Sequence, residues 1–213
     1  MNIRPILFSA PMVRALLDGT KTQTRRAFSE KTLKLFSAAV ALGEVSDFLN
    51  EMQLGKNDLG YVLDFCPYGK IGDRLWVRET WSKAKSSLSN ELFYRADGDH
   101  QPGRQITLSY VDREGRWRPS IHMPRYVSRI TIEITGVRVE RLQDISEEDA
   151  KAEGIQQYKG PLRWIRYIDA VTGEAAHNSA RDAFASLWEA INGAGSWDSN
   201  PWLWCVSFKR VTP

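Results

Sequence analysis

The sequence predicts an α+β fold, because its helix and strand patterns follow one another in blocks. The order is helix, strands, helix, helix and strand, whereas a parallel βαβ fold would alternate the two types. The clearest strand signal is the alternation of Ile130, Ile132 and Ile134 with polar neighbours. Gly136 interrupts this alternation and predicts a bulge, after which apolar residues resume. Several short antiparallel strands with such a bend favour a small β-barrel.

Length and composition predict one globular domain over residues 1–213, with insertions near 28–66, 82–118 and 156–180. Hydrophobic residues make up 42% of the chain and charged residues 26%, which excludes a mainly disordered protein. No run of about 18 apolar residues occurs, so no membrane span is expected. The first residues also lack the pattern of a signal peptide.

Cysteine usage and charge narrow the function classes only slightly. Cys66 and Cys205 are far apart and lack a CxxC partner, so neither a zinc site nor a disulfide framework is expected. A reduced, cytoplasmic chain without metal or cofactor is the simplest interpretation. The net charge of +3 permits a nucleotide or RNA partner without requiring one. Oligomeric state is not encoded in any visible pattern.

The first half of the chain contains three predicted elements. Apolar residues at helical spacing predict a helix over 11–18, which Gly19 ends. The polar stretch TKTQTRR predicts a turn that runs into a short strand. Residues 28–66 have helical spacing and predict one or two surface helices.

Five further elements and a loop follow. The alternation of Leu75, Val77, Glu79 and Trp81 predicts a strand with one apolar face, and a second strand is expected at ELFYRAD. A helix should begin after an N-cap at Ser146 and end at Gly154. Residues 156–178 are expected to form a loop. The segments ARDAFASLWEAING and NPWLWCVSFKRV predict an amphipathic helix and a closing strand, respectively.

The segment GTKTQTRR (19–26) is the first that indicates chemistry. Lys21 and Thr24 would face a shared pocket, and Arg26 would bind an anionic or carbonyl group. A solvated basic turn is the competing interpretation, because exposed Lys and Arg are the default.

Four other side chains are candidates. Glu79 and Trp81 share one face of a strand, which would put a carboxylate beside an indole able to stack on a planar ring. Glu153 ends a helix, where an acid opposes the helix dipole and therefore suggests another role. His122 lies in a loop between prolines and would act as an acid, a base or a donor. Each also has an ordinary structural explanation: a salt-bridged Glu, a core Trp, a tolerated misfit or a His bonded to a loop carbonyl.

HExxH, GxSxG and Walker motifs do not occur, which disfavours the enzyme classes that use them.

Taken together, four segments resemble the ASCH domain, a PUA-like β-barrel with flanking helices. They are PILFSAPMVRALLDGTKTQTRR, GDRLWVRETW, ITGVRVERLQDISEEDAKAEGI and NPWLWCVSFKRV, and they span the chain from end to end. The pattern GxKxxTxR, followed later by a strand and a helix that ends in EG, is the most specific part. The chain resembles the longer form found among phage and bacterial genes.

The resemblance implies an activity and a set of site residues. Some small ASCH proteins are amidohydrolases that cleave N4-acylcytidines, such as N4-acetylcytidine, to cytidine and a carboxylic acid. Their lysine, threonine and glutamate match Lys21, Thr24 and Glu153, and Arg26 matches a motif arginine. Glu79, Trp81 and His122 are then expected to line the site for the nucleoside.

This chemistry makes two demands on the fold. Thr24 would be the nucleophile and Lys21 its base, which requires the neutral amine and hence a pKa lowered from about 10.4 toward 7–8. Residues three apart on an extended strand face opposite sides, so Lys21 and Thr24 converge only if the chain turns or bulges between Gly19 and Thr22. We expect that irregularity.

Two alternatives to this enzyme remain open. Other ASCH and PUA-like proteins are regarded as RNA-binding modules, and Arg25, Arg26, Arg125 and Arg129 would then hold RNA in the same cleft. A phage accessory protein with a degenerate site is the third interpretation, against which the intact trio of Lys21, Thr24 and Glu153 argues.

Overall fold

The computed structural model describes residues 2–51, 55–83, 92–98, 117–160, 164–169 and 172–211. The helices are α1 (Ala10–Leu17), α2 (Glu30–Ala41), α3 (Phe48–Glu51), α4 (Lys56–Asp64), α5 (Glu147–Ala152) and α6 (Ala180–Asn192). The strands are β1 (Ile3–Leu7), β2 (Gln23–Ala27), β3 (Arg74–Arg78), β4 (Trp81–Lys83), β5 (Leu92–Tyr94), β6 (Thr131–Arg141), β7 (Gln157–Lys159), β8 (Ile165–Ile168), β9 (Ala175–His177) and β10 (Trp202–Val211). This arrangement confirms the predicted α+β class.

The central sheet has five strands in the order β1-β3-β6-β10-β2. All its pairs are antiparallel except β1 with β3. Within the described part of the chain the sheet is open, which corrects the expected closure into a barrel. A side chain bridges the gap between its two ends, because Arg26 Nη2 in β2 donates to the Leu7 carbonyl of β1 at 2.7 Å.

The predicted bulge at Gly136 is confirmed. Ser207 of β10 is opposite Gly136, but the next residue, Phe208, is opposite Ile134, so Thr135 is the extra residue on β6. The bulge lets β6 pair with β10 along its whole length. Across the bulge, the side chains on one face of β6 change from even-numbered to odd-numbered positions.

Three clusters of buried apolar residues surround the central sheet. One lies between the sheet and α1 and includes Leu75 and Val77, as the alternation predicted. A second lies between α5 and α6. The third joins the helices of residues 28–66 to Trp202 and Trp204 of β10. The sequence predicted that these helices lie on the surface. They instead share a core with the central sheet.

Two predicted segments need correction. Residues 156–178 contain the antiparallel sheet β7-β8-β9 rather than a loop alone. Strands of three or four residues are too short to show an alternation, which explains the error. The strand predicted over 75–81 divides into β3 and β4, and Glu79 and Trp81 are both buried. Of the predicted insertion at 82–118, residues 84–91 and 99–116 lie outside the described residues.

Among the described residues, no helix is both long enough and apolar enough to cross a membrane.

Candidate active site

The corner between α1 and β2 positions Lys21. Gly19 adopts a φ of 76°, and the backbone N–H of Lys21 then donates to the Ala15 carbonyl at 3.0 Å. Thr22 donates to the Ala152 carbonyl of α5 at 2.8 Å, and the regular strand begins only at Gln23. The expected irregularity between Gly19 and Thr22 is therefore present, and the chain is not a regular strand from Lys21 onward.

Glu153 ends α5 and meets the Lys21 corner directly. Ser146 caps the helix by accepting from the Asp149 N–H, and Gly154, with a φ of 95°, turns the chain away at the other end. Lys21 Nζ donates to Glu153 Oε2 at 2.7 Å and to the Glu153 carbonyl oxygen at 2.8 Å. Arg25 Nη1 donates to Glu153 Oε1 at 3.2 Å. Two cations thus compensate an acid that opposes the helix dipole.

Thr24 lies in β2 and is 1% exposed. Together with Arg26 and Glu153 it lines a cleft of about 60 Å³. Lys21 Nζ and the Arg26 guanidinium carbon lie 5.6 and 5.7 Å from the centre of the Phe8 ring. The structure therefore brings Thr24, Arg26 and Glu153 into one cleft. Lys21 is not on its lining, but it lies beside it, bonded to Glu153.

The electrostatics of Lys21 result from opposing influences. Burial is the largest, and it lowers the pKa of Lys21 below its ordinary value of 10.5 because the ammonium loses hydration. The Glu153 carboxylate acts in the opposite direction, and Arg26 and Arg25 add to the lowering. The net direction is downward, as catalysis by the free amine requires.

An ion-pair network lies beside this site and holds Arg25 in place. Arg25 Nη2 is paired with Asp149 at 3.1 Å and with Glu140 at 2.5 Å. Arg138 joins the same two carboxylates, at 2.7 and 2.8 Å. Asp149 is one helical turn before Glu153, so the i, i+4 spacing in the sequence signalled that both acids share a face of α5. Burial raises the pKa of the neighbouring Cys205 to about 12, which keeps it a protonated thiol.

The other predicted binding residues lie elsewhere. Glu79 is buried and accepts from Arg129 at 2.9 and 3.0 Å, and Arg129 also bonds Asp97 at 2.7 Å. Burial raises the pKa of Glu79, while Arg129 opposes this effect. None of these three groups lines the cleft.

Trp81 and His122 are also absent from the cleft lining. Trp81 packs against Met123 and Val127 and has the Arg118 guanidinium 4.9 Å from its ring centre. It is 2% exposed, so neither ring face is open to a ligand. His122 is exposed, in a 3-10 turn over Ser120–His122.

The cleft contains an indole that the sequence analysis did not select as a site residue. Trp188 of α6 lines it, and no described residue accepts a hydrogen bond from its Nε1. Helical spacing placed Trp188 on the buried face of α6 but gave no sign that this face reaches the Thr24 strand. The remaining lining residues are mostly apolar: Met12, Ala27, Phe184, Leu187, Ile191 and Asn192, with Arg25.

Within the described ranges, no group of three or more His, Cys, Asp or Glu side chains has an arrangement that could hold a metal ion. Comparison of the chain with protein-family models, with curated proteins and with solved structures finds no match.

Proposed function

We propose that this protein is an amidohydrolase that cleaves the amide bond of N4-acylcytidines, with Thr24 as nucleophile and Lys21 as base. The observation that carries the proposal is the buried Lys21 amine, held by Glu153 beside a cleft that Thr24 lines. The resemblance of the quoted segments to the ASCH domain supplies the substrate class. We also propose that the curled five-stranded sheet, bridged by Arg26 and Leu7, is a PUA-like barrel that is incompletely closed.

In the acylation step, neutral Lys21 takes the proton of the Thr24 hydroxyl as its oxygen attacks the acyl carbon. The tetrahedral oxyanion accepts hydrogen bonds from the Arg26 guanidinium, because the backbone N–H groups of Thr20, Lys21 and Thr22 already donate to carbonyl oxygens. The bond from carbon to the cytosine N4 then breaks, and Lys21 returns the proton to N4. Cytidine leaves, and an ester remains on Thr24.

In the deacylation step, Lys21 removes a proton from a water molecule that attacks the ester carbon. The Thr24 oxygen leaves, regains a proton, and the carboxylic acid is released. Glu153 orients the amine through the 2.7 Å hydrogen bond. It also favours the ammonium form, so burial of Lys21 must outweigh it for the base to act.

The size of the cleft limits which part of the substrate enters it. A volume of about 60 Å³ holds the scissile amide and a short acyl group, whereas whole small-molecule pockets measure roughly 300–1,000 Å³. The sugar therefore lies at the mouth. Trp188, rather than Trp81, is the indole placed to contact the base, because it lines the cleft.

Charge distribution favours this enzyme over an RNA-binding module. Of the four arginines considered for RNA, Arg25 and Arg129 are already paired with carboxylates. A guanidinium engaged in this way offers little charge to a phosphate backbone. We also propose that the reaction needs no metal ion. Lys21 deprotonates Thr24 and then water, so the mechanism does not require a metal-bound hydroxide.

The decisive experiment measures cytidine release from N4-acetylcytidine in the presence of a chelator. We expect turnover by the wild type, loss of at least a hundredfold in Thr24→Val, and near wild-type turnover in Thr22→Val. Thr22 is the matched control because its side chain is exposed and belongs to the same motif. Absence of wild-type turnover, or full activity in Thr24→Val, would contradict the proposal. Salt-sensitive RNA binding without turnover would support the module instead.

A further inference from the structure

A second and larger cavity lies between the α2–α3 region and the start of β10. Its volume is about 600 Å³, within the range of small-molecule pockets. It shares no lining residue with the Thr24 cleft. Most of its lining is apolar and includes Phe28, Leu33, Val40, Leu49 and Trp202.

One cation in this apolar lining has no counter-charge among the described residues. Arg141 is the last residue of β6, and its guanidinium carbon lies 5.3 Å from the centre of the Trp202 ring. Its Nε is buried without a hydrogen-bond partner, and no described residue forms a hydrogen bond or an ion pair with its guanidinium. Arg138 on the same strand shows the contrast, since it binds two carboxylates and Gln23.

Two other groups on the cavity lining also offer Arg141 no acceptor. The indole Nε1 of Trp202 is also buried without an acceptor among the described residues. Asp47 is on the lining, but it already interacts with another group. Buried donors without acceptors cost free energy, so native proteins rarely leave them in this state.

We propose that this cavity binds a small organic acid with an apolar body. The carboxylate would accept two parallel hydrogen bonds from Arg141, for which the planar guanidinium is suited. The apolar part would occupy the space between Phe28, Val40 and Trp202. This site is independent of the hydrolase activity proposed above, because no residue is common to the two linings.

The test is a direct binding measurement with defined probes. The fluorescent anion 1-anilinonaphthalene-8-sulfonate is bound to the folded protein and then displaced with phenylacetate or with phenylacetamide, its neutral counterpart. We expect one saturable site and displacement by phenylacetate at a concentration at least tenfold lower than by the amide. The Arg141→Met variant should lose at least tenfold in affinity, while Arg210→Met, a change at an exposed arginine of β10, should not.

Three outcomes would overturn this proposal: no saturable binding to the wild type, equal displacement by the acid and the amide, or unchanged affinity in Arg141→Met. A fourth, a concentration-dependent dimer that Arg141→Met abolishes, would also overturn it by showing that a second copy covers the cavity. Near-UV circular dichroism confirms that each variant is folded. A Val40→Trp variant, which fills the cavity while leaving Arg141 in place, should also lose probe binding. The Thr24→Val variant should bind the probe normally, so failure of the hydrolase proposal leaves this result interpretable.

Discussion

At the scale of single residues, the activity depends on the balance between burial of Lys21 and its ion pair with Glu153. Burial favours the neutral amine, whereas the carboxylate 2.7 Å away favours the ammonium. Because only the neutral form accepts a proton from Thr24, activity should fall as the pH drops through the pKa of Lys21. This pKa lies below 10.5, so the ascending limb of the pH profile should be centred below that value.

Removing the carboxylate tests this balance. In Glu153→Gln the ammonium loses its partner, so the pKa of Lys21 should fall further. The ascending limb of kcat/KM should then move to lower pH by about one to three units. Glu148→Gln, at an exposed position of the same helix, should leave the limb in place. A limb that moves to higher pH, or does not move, would show that Lys21 is not the titrating base.

The sequence indicated burial at single positions better than it indicated partners. The alternation placed Glu79 and Trp81 on the apolar face of the predicted strand, and both are buried in the structure. It contained no sign that Glu79 pairs with Arg129, which lies 50 residues away. Lys21, Thr24, Arg26 and Glu153 were candidates from their local pattern, but only the resemblance to a known family assigned them a joint role. Trp188 was missed because a core indole and a cleft indole have the same helical spacing.

At the scale of elements, the site depends on a close contact between the end of α5 and the Lys21 corner. Gly154 makes that contact possible. A Cβ at this position would lie 2.8 Å from Ala15 Cβ and 3.2 Å from Lys21 Cβ. The residue also has a φ of 95°, which L side chains rarely adopt.

We therefore expect Gly154→Ala to be more destabilising than Gly173→Ala. Gly173 has a similar φ of 77°, but a Cβ there would meet nothing within 4 Å. Both substitutions should cost about 1–2 kcal/mol for the unfavourable backbone, and Gly154→Ala about 1–3 kcal/mol more for overpacking. Urea denaturation measures this difference. Activity should fall only in Gly154→Ala, and equal stability losses would show that the contact is not tight.

Predictions of elements succeeded where the local signals were long or explicit. The Ser146 cap and the glycine stop marked α5, and the alternation marked β6 with its bulge. The sheet β7-β8-β9 was missed because none of its strands exceeds four residues. The barrel prediction failed in closure, which depends on how far the sheet curls, and no local pattern encodes that curvature.

At the scale of the whole molecule, residues 28–66 decide whether the chain is one cooperative unit. The sequence suggested an insertion outside the core, yet Phe36 of α2 is fully buried. Its ring centre lies 5.6 Å from that of Phe28 and 6.4 Å from that of Trp204 in the central sheet. The packing thus connects this segment to β10. Strand β10 in turn pairs with β2, the strand that contains Thr24.

Cooperative unfolding should follow from this shared core. Phe36→Ala should lower the free energy of unfolding by about 3–5 kcal/mol. Leu42→Ala, at a side chain that is 74% exposed, should change it by no more than about 0.5 kcal/mol. Tryptophan fluorescence and far-UV circular dichroism should report the same single transition for the wild type and for both variants. Two separate transitions, with only the weaker one shifted by Phe36→Ala, would mean that residues 28–66 fold as an independent appendage.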